Sequence, residues 1–133
     1  MIYLLLSYNF LNYQYLANHE LLLCAYFLSC VKLNSFYIAP ILGAAASILV
    51  ILPINYFWKI SAHLSGMGGL CGGLFAFAFF YATTPILPLV GLILLSGVLG
   101  WARMELKAHS LGQVCCGWLN GFLCVVIGWM LFA

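Results

Sequence analysis

The sequence predicts an all-α polytopic transmembrane helical bundle of about five spans, folded as a single membrane domain. Composition carries most of that prediction. The 133-residue chain is 67% hydrophobic and only 5% charged, with a mean hydropathy of +1.18, whereas a soluble domain is about half apolar and a quarter charged. Such a chain cannot cover a water-facing surface, so its solvent is a bilayer. The apolar residues also fall in runs close to the roughly 20 positions a helix needs to cross the hydrocarbon core. The remaining observation concerns the polar residues. The chain has four Lys or Arg and two Asp or Glu. Three of these, Arg103, Glu105 and Lys107, share the short connection 100–113 with His109, one of three histidines.

Residues 1–19 mix aromatic and apolar side chains with Asn9, Asn12, Gln14 and Asn18. They read as an interfacial segment or a broken helix. A first span is placed near 15–33, although Asn18, His19 and Glu20 fall inside it. The N-terminus lacks the basic flank and small-residue cleavage site of a secretory signal. Apolar sequence directly after Met1 is consistent with a truncated chain. Residues 1–36 form a divergent N-terminal part, and 37–133 form the helical core.

The second span is predicted at 37–57, with Pro40 in its first turn, where a missing N–H costs nothing. Pro53 lies near its end, where it can kink the helix. The third span, 63–81, carries the glycine pairs Gly68/Gly72 and Gly69/Gly73, and the fifth, 113–132, carries Gly117/Gly121. Small residues four apart let helix backbones approach closely in lipid. No Lys-Ser/Thr pair follows the glycines, so a phosphate-cradling loop is not expected. Thr83-Thr84-Pro85 is a tight turn into the fourth span, 85–101, and 102–112 is a polar connection. The six cysteines form no CxxC pair. They read as small apolar packing residues rather than a disulfide framework. A net charge of +2 without any basic run argues against a nucleic-acid partner. The bilayer itself is the expected partner, together with a membrane lipid and, as an open option, a second copy of the chain.

Alternating spans sort the charges between the two membrane faces. The second span ends at Lys59, the third begins at His63, the fourth ends at Arg103, and the fifth begins after His109. These residues therefore share one face, called side B, while Lys32 lies on the opposite face. The third and fifth spans both start on side B and point their positive N-terminal ends at it. Ser61 and Ser110 stand where N-caps are expected. Helix starts combined with Arg and Lys make an anion site, and at a membrane surface the expected anion is a lipid phosphate. Topology alone explains Lys59, Arg103 and Lys107, because cationic residues flank cytoplasmic span ends. It does not explain the two histidines. His19 is read as a bland residue near the first span.

At these residues the sequence resembles the phosphatidic acid phosphatase type 2 superfamily of membrane lipid phosphatases and haloperoxidases. Ile60-Ser61-Ala62-His63 is similar to its Pro-Ser-Gly-His motif. Ala102-Arg103, five residues, His109, three residues, Gln113 is similar to its Ser-Arg…His…Asp motif. Pro, Gly, the Ser before Arg and the final Asp are replaced here by Ile60, Ala62, Ala102 and Gln113. The Lys…Arg-Pro motif is not convincingly present: Lys32 and Ala39-Pro40 keep its spacing without the Arg, and Lys32 falls on the wrong face. The resemblance implies a metal-free, cofactor-free hydrolase of a lipid phosphate monoester or pyrophosphate, such as phosphatidate, phosphatidylglycerol phosphate or a polyprenyl diphosphate. It implies His109 as the nucleophile that becomes phosphohistidine and His63 as the acid that protonates the leaving oxygen. Arg103 and Ser61 would hold phosphate oxygens, with Lys59 as a substitute cation. Gln113, one helical turn past His109, is placed to meet the other ring nitrogen without the Asp charge. Glu105 is the candidate to supply that charge. The resemblance puts the site on the outer face of a bacterial inner membrane, whereas charge asymmetry favours the cytoplasmic face.

Three rival readings remain. One is a degenerate relative that binds lipid phosphate or assembles with another membrane protein. Another is a histidine metal site of His63 and His109 with Glu105 or a cysteine, whose spacing matches no HExxH or paired-cysteine pattern. The last is a small transporter or structural membrane protein.

Overall fold

The computed structural model describes residues 12–13, 15–16, 18–23, 25–26, 29–30 and 35–132. Among the described residues, four long helices build the bundle: α1 Ser35–Phe57, α2 Ala62–Phe80, α3 Ile86–Glu105 and α4 Leu111–Phe132. No strand occurs among the described residues. All four helices are long and apolar enough to cross a membrane. The predicted first span, 15–33, lies partly outside the described residues; its described positions are helical.

Helix α4 is the centre of the bundle. It packs most extensively against α2 and next against α1, while α3 leans mainly on α2. Glycine pairs on both partners make the α2/α4 approach possible. A methyl group at Gly72 would lie 2.6 Å from the Phe122 carbonyl oxygen, and one at Gly117 would lie 2.5 Å from that of Ser61. At Gly68 and Gly121 it would overlap the carbonyls of Trp118 and Ser65 outright. The pair Gly69/Gly73, at the same spacing, meets the Val125 side chain, with the Gly121 carbonyl no nearer than 3.8 Å.

Polar contacts reinforce these seams. Asn120 on α4 donates to the Ser47 carbonyl of α1 at 3.1 Å and to the Ser65 hydroxyl of α2 at 3.2 Å. The Trp118 indole donates to the Ser96 hydroxyl of α3 at 3.2 Å. Inside hydrocarbon no water competes for such groups, so they hold helices together. Ala39, Ala76, Val125 and Trp129 form the apolar core towards the opposite end, with Phe77 packed against it.

Two boundaries differ from the sequence reading. Helix α1 begins at Ser35, so Pro40 lies in its second turn rather than its first. Helix α3 continues to Glu105, past the predicted end at 101, because its cap is built from residues 106–108. Arg103 is therefore helical and Glu105 ends the helix.

Candidate functional site

The ends of α1 and α3 and the starts of α2 and α4 meet at one end of the bundle. Ser61 caps α2 from an extended conformation, with its hydroxyl accepting the Leu64 N–H at 3.5 Å. The Ser61 N–H donates to the Gln113 carbonyl at 3.3 Å, which ties the α1–α2 connection to α4. Gly117, with no side chain, lets the Ser61 backbone sit directly on α4.

The spacing from Arg103 to His109 has a backbone cause. Lys107 adopts a left-handed conformation, φ 51°. Its N–H donates to the Met104 carbonyl at 2.9 Å, and the Ala108 N–H donates to the Arg103 carbonyl at 3.1 Å. This is a Schellman cap with Lys107 at the position glycine usually takes. The His109 N–H also donates to the Arg103 carbonyl, at 3.3 Å. One carbonyl thus folds the chain back so that His109 stands beside the helix end carrying Arg103.

Helix α4 starts at Leu111, and the Gln113 Oε1 accepts the Ser110 N–H at 2.9 Å. That is the reach-back half of a capping box, made by a Gln three residues after the cap.

The half-buried His109 imidazole lies with Nδ1 3.1 Å from the Lys59 carbonyl oxygen. A carbonyl only accepts, so Nδ1 carries the proton and Nε2 keeps its lone pair. Burial holds the ring below its ordinary pKa of 6.5. The bond to the Lys59 carbonyl and the nearby Gln113 side chain raise it, and the positive charges of Lys59 and Arg103 lower it. The balance favours a neutral imidazole at neutral pH. His63, exposed at the start of α2, feels the charges of both Arg103 and His109. Lys59, His63, Arg103 and His109, contributed by four different chain segments, therefore form one electrostatic neighbourhood.

Two predicted site residues stand differently from their expected roles. Ser61 is fully buried, at 0% exposure, and its hydroxyl turns inward to cap α2 instead of facing a ligand. Glu105 is not among the groups acting on His109. The acceptor expected from a carboxylate comes instead from the Lys59 backbone carbonyl, which no residue type in the sequence announces. Among the described residues, no three His, Cys, Asp or Glu side chains gather in one place.

An apolar cavity of about 1060 Å³ runs along the bundle between α1, α2 and α3, with Val125 and Trp129 of α4 in its wall. Its lining reaches from Ala62 at this end to Pro40, Phe77 and Trp129 towards the other, and includes Tyr13 and Leu21. Ser47 and Ser65 line it. The Ser47 hydroxyl donates to the Ala44 carbonyl at 3.0 Å, and the Ser65 hydroxyl to Ser47 at 3.5 Å, so their protons are engaged within the wall. In comparisons with known proteins, no family model, curated protein or solved structure matches the chain.

Proposed function

We propose that this chain is a multi-pass membrane phosphatase of the phosphatidic acid phosphatase type 2 kind, acting on a lipid phosphate monoester or pyrophosphate. The observation that carries the reading is His109 with Nδ1–H on a carbonyl, within the electrostatic reach of Arg103, Lys59 and His63. The Nε2 lone pair attacks phosphorus, forming the P–N bond of a phosphohistidine as the lipid P–O bond breaks. The leaving oxygen takes its proton from His63. Water, giving a proton back to His63, then cleaves the P–N bond and releases inorganic phosphate. Arg103 and Lys59 stabilise the charge spread over the phosphate oxygens, the main task in phosphoryl transfer. The N-terminal end of α2 adds its dipole. No step requires a metal or cofactor. The apolar cavity, whose lining reaches Ala62, supports a substrate whose tail stays in hydrocarbon while its headgroup is processed at the interface. The membrane is read as a bacterial inner membrane.

The test is phosphate release from phosphatidate or a polyprenyl diphosphate in mixed micelles by the purified chain. Trapping an acid-labile phosphoprotein accompanies it. His109→Ala is expected to abolish both, and robust turnover by that variant overturns the assignment.

The inward-facing Ser61 hydroxyl and the uncharged Gln113 favour one alternative, a non-catalytic relative that binds lipid phosphate. It predicts that phosphatidate raises thermal stability without phosphate release.

A further inference from the structure

The orientation of His109 hangs on the carbonyl of Lys59, and that carbonyl belongs to the same peptide group as the N–H of Ile60. Asn55, in the last turn of α1, reaches five residues forward and accepts this N–H through its Oδ1 at 2.6 Å. No cis peptide occurs among the described residues, and in a trans peptide the N–H and C=O point in opposite directions. One rigid plane is therefore held at both ends: by Asn55 at the N–H and by the His109 Nδ1–H, 3.1 Å away, at the C=O. We propose that Asn55 is a positioning residue for His109, acting through the Lys59–Ile60 peptide group. This inference rests on the reading of His109 as the nucleophile.

Two physical consequences follow from the shared plane. The first is geometric. The connection from Trp58 to Ser61 is the only irregular backbone between α1 and α2. It is anchored beyond the plane by the buried Ile60 side chain and by the Ser61 bond to Gln113. With Asn55 in place, the peptide cannot rotate without losing both of its bonds. The second is electronic. Accepting a hydrogen bond from a peptide N–H polarises that peptide and makes its carbonyl a stronger acceptor, as in any hydrogen-bond chain. The carbonyl then favours Nδ1–H over Nε2–H in neutral His109 and supports the ring as it gains positive character on phosphorylation. In the related motif a carboxylate stands where this chain has Gln113, and Gln113 is already engaged in capping α4. The Asn55–peptide–His109 chain supplies an acceptor at Nδ1, alongside the uncharged Gln113.

The experiment is long-range ¹H–¹⁵N correlation NMR of the full-length protein in detergent micelles, labelled with ¹⁵N-histidine. His63→Asn and His19→Gln variants assign the three rings. The wild type is expected to show His109 as the Nδ1–H tautomer. Asn55→Leu, which keeps the size and removes the acceptor, is expected to give a mixed or Nε2–H population. It should also lower kcat roughly ten- to a hundred-fold with little change in KM, the usual range for a group orienting a catalytic ligand from behind. Asn55→Asp retains the acceptor, restores the Nδ1–H tautomer and raises the His109 titration midpoint. If Asn55→Leu leaves His109 wholly Nδ1–H with an unchanged titration, the proposal is overturned, even where activity falls. If Asn55→Leu does not fold, Asn55→Asp decides alone: an unmoved titration midpoint overturns the proposal. A chain that responds as expected by NMR yet releases no phosphate from any lipid retains the positioning role and loses the phosphatase reading.

Discussion

Substituting Gly117 by alanine tests the packing that brings the two halves of the site together. The added methyl would sit 2.5 Å from the Ser61 carbonyl oxygen, 3.3 Å from its carbon and 3.2 Å from the Ile60 side chain. The closest of these atoms is backbone and cannot swing aside. Ordinary contact begins near 3.4 Å, so the start of α2 and the face of α4 must separate by roughly 0.9 Å. The Ser61 N–H to Gln113 carbonyl bond, already 3.3 Å long, would not survive that separation. Overpacking of this kind costs about 1–3 kcal/mol, and losing the hydrogen bond adds about 0.5–1.5 kcal/mol. Replacing a helical glycine returns up to about 1 kcal/mol of propensity. The expected net loss is therefore about 0.5–4.5 kcal/mol. Gly66→Ala is the internal control: no atom lies within 4 Å of its added methyl, so only the propensity gain remains. Unfolding of both variants in one detergent, by heat or denaturant, reads the difference directly. Gly117→Ala at least as stable as Gly66→Ala would refute the packing argument. If the phosphatase reading holds, Gly117→Ala also lowers turnover by up to about a hundred-fold, because a displacement near 1 Å is enough to misalign reacting groups.

The remaining predictions concern charge, strain and polar packing. His109 has a folded-state pKa below 6.5, so between that value and 6.5 the unfolded chain binds more protons than the folded one. Stability should rise with pH through this window and be lost as the pH falls below 6.5; unfolding midpoints across about pH 5–8 measure the slope, and His109→Gln should flatten it. If the phosphatase reading holds, the same shift places the acid limb of kcat/KM governed by His109 below 6.5. Lys107 at φ 51° carries a left-handed backbone penalty of about 1–2 kcal/mol. Lys107→Gly should therefore raise the unfolding temperature, and Lys107→Val should lower it. Asn120→Ala removes the polar link among α1, α2 and α4; a loss of about 0.6–2 kcal/mol is expected in detergent unfolding.

What the sequence made legible follows from what each kind of signal can encode. Hydropathy marks where a helix must lie, so all four described spans were placed to within a few residues. It does not mark where the backbone turns. The polar residues after Trp101 read as a connection, yet α3 needs Ala102 to Glu105 to reach its Schellman cap. Glycine spacing announced close helix approach, but Gly68/Gly72 and Gly69/Gly73 look identical in sequence, and only packing shows that the first pair faces a backbone. Residue type pointed to Ser61 as a helix cap, which it is, and only the resemblance made it a ligand. Its burial follows from Gly117, more than fifty positions away, which presses α4 onto the Ser61 backbone. The Lys59 carbonyl was illegible in principle, since every residue has one and only tertiary structure selects it.

The shared location of Lys59, His63, Arg103 and His109 was legible for a different reason. It depends only on parity. Two crossings separate Lys59 and His63 from Arg103 and His109, so any pair of consecutive apolar spans returns the chain to the same end of the bundle. Errors of several residues at each boundary do not change that count, and neither does the number of spans before α1. The residues that parity selects are also the ones whose charges act on each other in the folded chain: Arg103 and His109 on His63, and Lys59 and Arg103 on His109. In a bundle with so few charges, bringing both basic clusters and both core histidines to one end concentrates nearly all of its reactive groups there. Chemistry carried out by this chain is therefore expected at that end.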